Sequence, residues 1–245
     1  MLENKYDDES FFQKYSQMDR SQNGLASAGE WSTLAKLLPD FTDKKLLDLG
    51  CGFGWHCRYA VEHGAAAAVG IDISQKMLAV ARSKTDSDKI TYLCQPIEKL
   101  DFPPQSFDIV LSSLALHYVN DFDALCAQAS CCLKAGGEFI FSVEHPIFTA
   151  AGAQQWHYDP DGTISHWPVD NYFNEGQRTA IFLGEQITKY HKTLTTYLNT
   201  LLQNSFSLRQ VVEPQPSLEL LSTIPAMGDE LRRPMMLIVA AQKQN

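Results

Sequence analysis

The sequence contains no apolar run approaching the ~20 residues that a bilayer-spanning helix requires, so no membrane-embedded helix is expected. It is also short of positive charge. Lys and Arg number 20 against 29 Asp and Glu, a formal net charge of −9. Phosphate-rich partners need a basic face, so nucleic acid is not expected as a partner, and the basic cluster Arg232-Arg233 is too short to make such a face. The six cysteines form no C-x-x-C pair and no zinc spacing. The histidines likewise show no ligand spacing, so no metal is expected. Cysteines within strands and helices behave as small apolar side chains. The opening MLENKYDDES has neither the basic start nor the apolar core of a secretory leader. With reduced core thiols this reads as a cytoplasmic chain, and no internal repeat is visible.

What the chain has instead is a rhythm. Its 245 residues suffice for one well-buried domain. A polar, helical segment gives way after Pro39 to strand and helix in alternation. KLLDLG, AAAAVGID, ITYLCQ, SFDIVLSSLAL and GEFIFSV read as five strands. WHCRYAVEH, SQKMLAVARSK and DFDALCAQASCCLK are helices among them, the second capped by Ser74 and the third closed by Gly136-Gly137. Continuous apolar strands between helices imply a parallel sheet covered on both faces. From His145 to about Thr188 the rhythm breaks, and Trp156, Trp167, Tyr172 and Phe173 stand among glycines, prolines and polar residues. So long and aromatic a connection predicts an inserted functional cap, its aromatics forming either an acceptor pocket or a satellite core. GQRTAIFLGEQITKYH then reads as two short strands around Gly184, TLTTYLNTLLQNSF as a helix, and SLRQVVE and RPMMLIVAAQK as the last two strands. The expected division of the single domain is 1–40 helical, 41–145 core, 146–188 cap, and 189–245 closing helix and strands.

The stretch LLDLGCGFGWH, Leu46 to His56, carries the most chemistry. A strand running into a glycine turn and a helix holds nucleotides in α/β proteins, and the dinucleotide fingerprint is G-x-G-x-x-G. Here Gly50 and Gly52 are present, but Trp55 stands where the third glycine should be and would obstruct a pyrophosphate. The glycines fall at alternate positions, Gly50, Gly52 and Gly54, with Asp48 ahead of them. A carboxylate there repels pyrophosphate and pairs with an ammonium group. Asp72 follows 22 residues after Gly50 at the end of the second strand, where an acid can take both ribose hydroxyls. The implied ligand has a nucleoside at one end and a zwitterionic amino acid at the other. Ligands of open parallel sheets bind beyond the carboxyl ends of the strands. That edge collects the turn, Asp72, Gln95–Glu98, Ser112–His117 and Glu144–Pro146, with Tyr190, His191 and the loop from Glu213 to Arg233 expected beside them.

This combination resembles the class I S-adenosylmethionine-dependent methyltransferases, in particular the bacterial small-molecule type related to ubiquinone/menaquinone biosynthesis methyltransferases. The resemblance covers roughly residues 40 to 145, through LLDLGCGFG, VGIDIS, CQPIEKLDFPPQSFDIVLSSLALHYV and LKAGGEFIFS. It implies a Rossmann-like α/β fold, doubly wound, with a mostly parallel seven-stranded sheet, the last strand antiparallel, and a cap after strand five. It also implies S-adenosylmethionine as cofactor and in-line transfer of its methyl group to a small organic acceptor. Residue by residue, it implies that Gly50, Cys51 and Gly52 cradle the methionine part and that Asp48 contacts its amino group, directly or through water. Asp72 would hold the ribose, with Ile73 and Met77 on the adenine. Ile97 and Glu98 would lie at the adenine edge, and Ser112, Ser113 and Leu114 under the sulfonium. Apart from the resemblance, Tyr15 and Arg20 are placed to fold over the cofactor as an N-terminal lid, and Arg20 is either a solvated surface residue, the favoured reading, or a partner of the methionine carboxylate. Relatives often carry an acid just after the third strand; Pro96 stands there, leaving Glu98 as the candidate for the adenine amino group.

A sulfonium methyl is already activated, so alignment supplies much of the rate, and a base is needed only when the acceptor must lose a proton. His117 and His145 are the candidate bases, with His191 beside Tyr190 a third. Each histidine has a structural hydrogen-bonding role as its alternative, Asp72 a helix cap, and Met77 plain core packing. Two other readings of the whole chain stay open: a non-catalytic S-adenosylmethionine-binding protein and a nicotinamide-dependent dehydrogenase. No oligomeric state is legible.

Overall fold

The computed structural model describes residues 4–244. Five strands open the sheet: β1 (Lys45–Leu49), β2 (Ala67–Asp72), β3 (Ile90–Cys94), β4 (Phe107–Ser113) and β5 (Leu133–Glu144). Two hairpins follow, β6 (His157–Tyr158) with β7 (Ile164–His166), and β8 (Gly176–Phe182) with β9 (Glu185–His191). The chain then returns to the sheet as β10 (Phe206–Val212) and β11 (Met236–Lys243). The order is β10-β11-β5-β4-β1-β2-β3. Strand β11 runs against both of its neighbours, and the other six strands are parallel. This is the doubly wound α/β sheet expected, with the last strand antiparallel.

The helices are α1 (Glu9–Ser16), α2 (Asp19–Asn23), α3 (Trp31–Leu34), α4 (Trp55–Glu62), α5 (Gln75–Ser83), α6 (Phe122–Cys132), α7 (Pro146–Thr149), α8 (Leu194–Gln203), α9 (Leu218–Thr223) and α10 (Met227–Glu230). Side-chain oxygens of Ser74, Asp121 and Thr193 cap α5, α6 and α8 by accepting backbone N–H bonds, which sets where each helix starts. Side chains alternate across a strand, so β1 feeds two cores. Leu47 and Leu49 join Phe139, Phe141 and Tyr197 under α6 and α8. Leu46 joins Cys57, Ala60 and Leu78 under α4 and α5. All of these are buried, and four of the six free cysteines are buried as well.

Three local features depart from the sequence reading. Helix α6 stops at Cys132 and β5 begins at once, so Gly136 and Gly137 lie within the strand rather than after the helix. The pairing jumps from Phe107↔Leu133 to Ile109↔Glu138, and the glycines take up the slack. The second hairpin runs through His191, across the expected cap boundary at residue 188. The cap also has regular structure that the sequence did not signal, in α7 and the first hairpin, while the second hairpin is the pair of strands expected around Gly184. It is tied to the N-terminal segment through a third small core of Phe11, Ala180 and Ile187, against which Tyr6, Tyr118 and Phe182 pack.

Gly54 starts α4 in the left-handed region at φ +72°. A Cβ there would stand 2.1 Å from the Tyr92 hydroxyl oxygen, whereas one on Gly136, at φ +73°, would meet nothing within 4 Å. Gly54→Ala is therefore expected to lose ~2–4 kcal/mol of stability, combining backbone and overpacking costs, and Gly136→Ala about 1. Urea denaturation of both variants checks this, and equal losses would show that Tyr92 yields freely.

Candidate active site

The carboxyl edge of the sheet opens into one cavity of about 890 Å³. Its near end is built by the turns after β1, β2 and β4. Gly50 takes φ +74°, and a Cβ on it would lie 2.4 Å from the Ala115 Cβ, so only glycine lets these two turns close on each other. The turn's donors are already used. Gly50 and Cys51 N–H both donate to the Ile71 carbonyl, at 2.9 Å each, and Gly54 N–H donates to Cys51 at 2.8 Å. Gly52 N–H donates to Asp72 Oδ2 at 2.9 Å. A pyrophosphate would find no free N–H on these residues and a carboxylate beside it. That arrangement, rather than Trp55, disfavours a dinucleotide. The Trp55 ring lies on the outer side of the turn, 4.5 Å from the Arg58 guanidinium and against Gly24.

Asp72 ends β2 and faces the cavity. Its Oδ1 accepts from Ser74 N–H at 2.9 Å, so each oxygen keeps lone pairs for further donors. Burial raises its pKa, against the lowering effect of these N–H bonds. Ile73, Met77, Ile97 and Glu98 line the same end. Burial raises the pKa of Glu98 too. Ser113, Leu114 and Ala115 continue the wall from β4. Leu114 takes φ +53°, a strained conformation for a leucine, held by N–H bonds to Ser142 O at 2.9 Å and Ser142 Oγ at 3.1 Å.

The N-terminal segment closes over this end. Asp7 accepts from Ser74 Oγ at 2.6 Å and from the N–H groups of Gln75 and Lys76, so it covers the start of α5. Tyr15 and Arg20 line the cavity. Arg20 Nη2 is 3.3 Å from Glu30 Oε1, which also accepts from Ser113 Oγ at 3.1 Å. Glu30 is 1 % exposed and its Oε2 has no partner among the described residues. Nothing in the sequence marked Glu30, because it is 20 residues upstream of the glycine turn and belongs to no motif.

Other expected contacts are not made. Asp48 does not reach the cavity. Alternation along β1 puts it on the face of Leu46, beneath α4, where Cys57 Sγ donates to its Oδ2 at 3.5 Å. It is fully buried, its Oδ1 has no partner among the described residues, and burial raises its pKa to about 7. Any contact with an amino group therefore runs through an intermediary. Ser112 is also fully buried and donates to the Leu49 carbonyl at 2.8 Å, joining β4 to β1. The Cys51 side chain packs toward Gly70 instead of into the cavity.

The histidines separate cleanly. His145 caps α7, its Nδ1 accepting from Ile147 N–H at 3.1 Å, while Nε2 stands 2.9 Å from a Glu213 carboxylate oxygen. His191 has both nitrogens engaged: Nε2 donates to Tyr172 O at 2.8 Å, which leaves Nδ1 to accept from Thr149 Oγ1 at 2.7 Å. Neither lines the cavity, so neither is placed as a base. His117 does line it. The cap aromatics Trp156 and Trp167 gather around Arg233 instead, with Trp167 stacked on Phe148 at 5.0 Å. Phe173 is 91 % exposed. Trp156, Trp167 and Phe148 form a satellite core around Arg233, and Phe173 takes no part in it. Among the described residues no three His, Cys, Asp or Glu side chains are grouped to hold a metal ion.

The far half of the cavity holds the larger surprise. Glu144, at the end of β5, meets Lys189 Nζ through Oε1 at 2.5 Å and Gln154 Nε2 through Oε2 at 2.7 Å. Gln154 Oε1 in turn accepts from Lys189 at 3.0 Å, closing a ring of three side chains. Tyr118, Phe148, Phe182, Ile187 and Met236 supply the apolar walls.

With this geometry established, the relatives fall into place. Residues 47–141 match a methyltransferase domain family. A provisionally assigned S-adenosylmethionine dependent methyltransferase from Listeria monocytogenes is 55 % identical, with a TM-score of 0.87 over 91 % of this chain and 100 % of its own. An S-adenosylmethionine dependent methyltransferase from Mesorhizobium loti is 42 % identical, with a TM-score of 0.84 over 90 % of this chain and 100 % of its own. A Coxiella burnetii ubiquinone biosynthesis O-methyltransferase is 33 % identical over 44 % of this chain and 46 % of its own. The chain belongs to the class I S-adenosylmethionine-dependent methyltransferases. S-adenosylmethionine is its cofactor, and the near end fits it. Asp72 keeps acceptor capacity on both oxygens, and Gly50 and Gly52 line the same end of the cavity.

Two measurements test this placement. Asp72→Asn is expected to weaken binding of S-adenosylhomocysteine by ~1–3 kcal/mol, read by calorimetry; an unchanged affinity would remove Asp72 from the site. For Asp48, burial raises the folded pKa above the unfolded value. Its favourable contribution is then complete below about pH 4 and is lost as pH rises through about 7. The difference in unfolding free energy between Asp48→Asn and the parent should therefore move in favour of the variant across that window, by up to ~4 kcal/mol. A constant difference would mean that Asp48 stays ionised throughout.

Proposed function

We propose that this enzyme methylates a small organic molecule, by in-line displacement, in the far half of the cavity. The observation that carries this reading is the continuity of one cavity from Asp72 to the Glu144–Lys189–Gln154 ring, about 890 Å³ in all. That volume lies in the upper part of the range of small-molecule sites, about 300–1,000 Å³, and leaves room for an acceptor beside a cofactor. The walls of the far half come from β5, the cap hairpin β8–β9, the lid residue Tyr6 and Met235–Met236. They enclose a pocket rather than a groove, which favours a small acceptor over a macromolecule. The net charge of −9 points the same way.

S-adenosylmethionine supplies an electrophilic methyl group on a positively charged sulfur. The residues of the chain then have three tasks. Asp72, Ile73, Met77 and Ile97 hold the nucleoside end, and Arg20, with Glu30 behind it, meets the methionine end. The strained turn at Leu114 sets the floor between the halves. The lid and hairpin exclude water and hold the acceptor in line, where orientation supplies much of the rate. Glu98, not Pro96, carries the polar contact at the adenine edge.

Calorimetry with S-adenosylhomocysteine, and NADH in parallel, tests the reading. Micromolar binding of the first and none of the second is expected. Tight NADH binding without S-adenosylhomocysteine binding would replace it with a dehydrogenase. S-adenosylhomocysteine binding without release of that product in the presence of any acceptor would leave a binding protein.

A further inference from the structure

We infer that the methyl acceptor is a carboxylate, held by the Nε2–H of His117 beside the Glu144–Lys189–Gln154 ring, and that the product is a methyl ester. This rests on the methyltransferase reading above and adds the class of acceptor.

The inference starts from which lone pairs in the far half are already spoken for. His117 Nδ1 accepts the backbone N–H of Glu144 at 3.4 Å. The proton of the neutral ring therefore sits on Nε2, and no described residue accepts it. His117 is 3 % exposed, and what it exposes lines the cavity. It presents a donor there. Desolvation outweighs the opposing attraction of Glu144, and with Lys189, Lys192 and Arg20 also near, its pKa falls to about 4. The ring is neutral at physiological pH and, in this tautomer, has no lone pair to offer an acceptor's proton.

Among the described residues, the carboxylate of this wall is engaged on both oxygens. Glu144 Oε1 takes the Lys189 ammonium and Oε2 takes Gln154. The neighbouring His117 and Lys189 hold its pKa low against burial. Protonating Glu144 would break the ring and leave a buried lysine unpaired. Tyr6 and Tyr118 share a hydrogen bond of 3.2 Å, and burial raises both phenols. An alcohol, a thiol in its neutral form or an ammonium must lose a proton to attack, and here it would meet donors. A carboxylate arrives without that proton, and donors are what it needs.

The step balances without any further reactant. One carboxylate oxygen accepts from His117 Nε2–H while the other donates a lone pair to form the O–CH₃ bond. The C–S bond breaks with its electron pair staying on sulfur. An anion and a sulfonium become a neutral ester and a neutral thioether, and no proton is released.

The test uses the full chain, methyl-labelled S-adenosylmethionine, and matched panels of aliphatic and aromatic acids, alcohols, amines and thiols. S-adenosylhomocysteine affinity is measured on the same preparation. Label expected in an acid's product should be released as methanol by mild alkali, with no acidification of a weakly buffered assay. His117→Leu should raise KM for that acid roughly ten- to hundredfold, the cost of a hydrogen bond to a charged group, without changing S-adenosylhomocysteine affinity. His117→Asn, which keeps an N–H, should recover part of it. Alkali-stable label, one proton released per turnover, or no acid accepted by a preparation that binds S-adenosylhomocysteine would each overturn the carboxylate assignment and leave the methyltransferase reading intact. Failure to bind S-adenosylhomocysteine would overturn both.

Discussion

The two oxygens of Asp72 fix the shape of the cofactor end. One takes the N–H of Gly52 and the other the N–H of Ser74, at 2.9 Å each. Through these bonds the glycine turn after β1 and the start of α5 become one rigid unit around a single carboxylate. Asp7 then adds the N-terminal segment to the same point by bonding Ser74 Oγ and the first N–H groups of α5. The N-terminal segment therefore closes on the element that Asp72 organises. A carboxylate so placed carries a desolvation cost, visible in its raised pKa, and backbone N–H bonds offset part of it. Donors arriving from a bound nucleoside would offset more.

Two cations of the cavity sit in neutral pairs. Arg20 is paired with Glu30, and Lys189 with Glu144. Both acids are poorly exposed, and buried pairs of this kind gain little stability over apolar packing. Their value here is geometric. Glu30 joins Arg20 of the lid to Ser113 of β4, and the Glu144 ring joins β5 to the cap through Gln154 and to β9 through Lys189. Each pair ties a mobile class of element, loop or hairpin, to the end of a sheet strand, where precise placement of reactants is required.

The core of the fold was legible because covered parallel strands leave largely apolar runs, as β1, β2, β4 and β5 do, while β3 at the sheet edge buries only Tyr92 of its five residues. The glycine turn and Asp72 were legible because local backbone needs fix those residue types at fixed positions. Single-residue aim was less so. Asp48 and Ser112 belong to the right strands, but alternation turns them into the protein, one under α4 and the other onto the Leu49 carbonyl. Spacing brought His145 and His191 to the right edge and could not say that a helix start and a threonine–carbonyl pair had claimed their nitrogens. Glu30, Gln154 and Lys189 were invisible, since their meeting depends on how a lid and a hairpin dock, and no short spacing encodes that.

The cap shows why aromatic content alone misleads about substrate. Trp156 and Trp167 surround Arg233, whose guanidinium lies 4.4 Å from the Trp167 ring and pairs with Glu230 at 2.7 Å. Phe148 stacks on Trp167, lies 4.8 Å from the same guanidinium, and is the member of this group that reaches the cavity. A buried arginine packed against aromatic rings and paired to a carboxylate is a stiff unit. It fixes the loop before β11, and Met235 of that loop and Met236 at the start of β11 line the far half of the cavity. The tryptophans thus shape the pocket at one remove. The far half of the cavity is itself lined by two methionines, two phenylalanines and His117, an apolar and adaptable surface with one polar group.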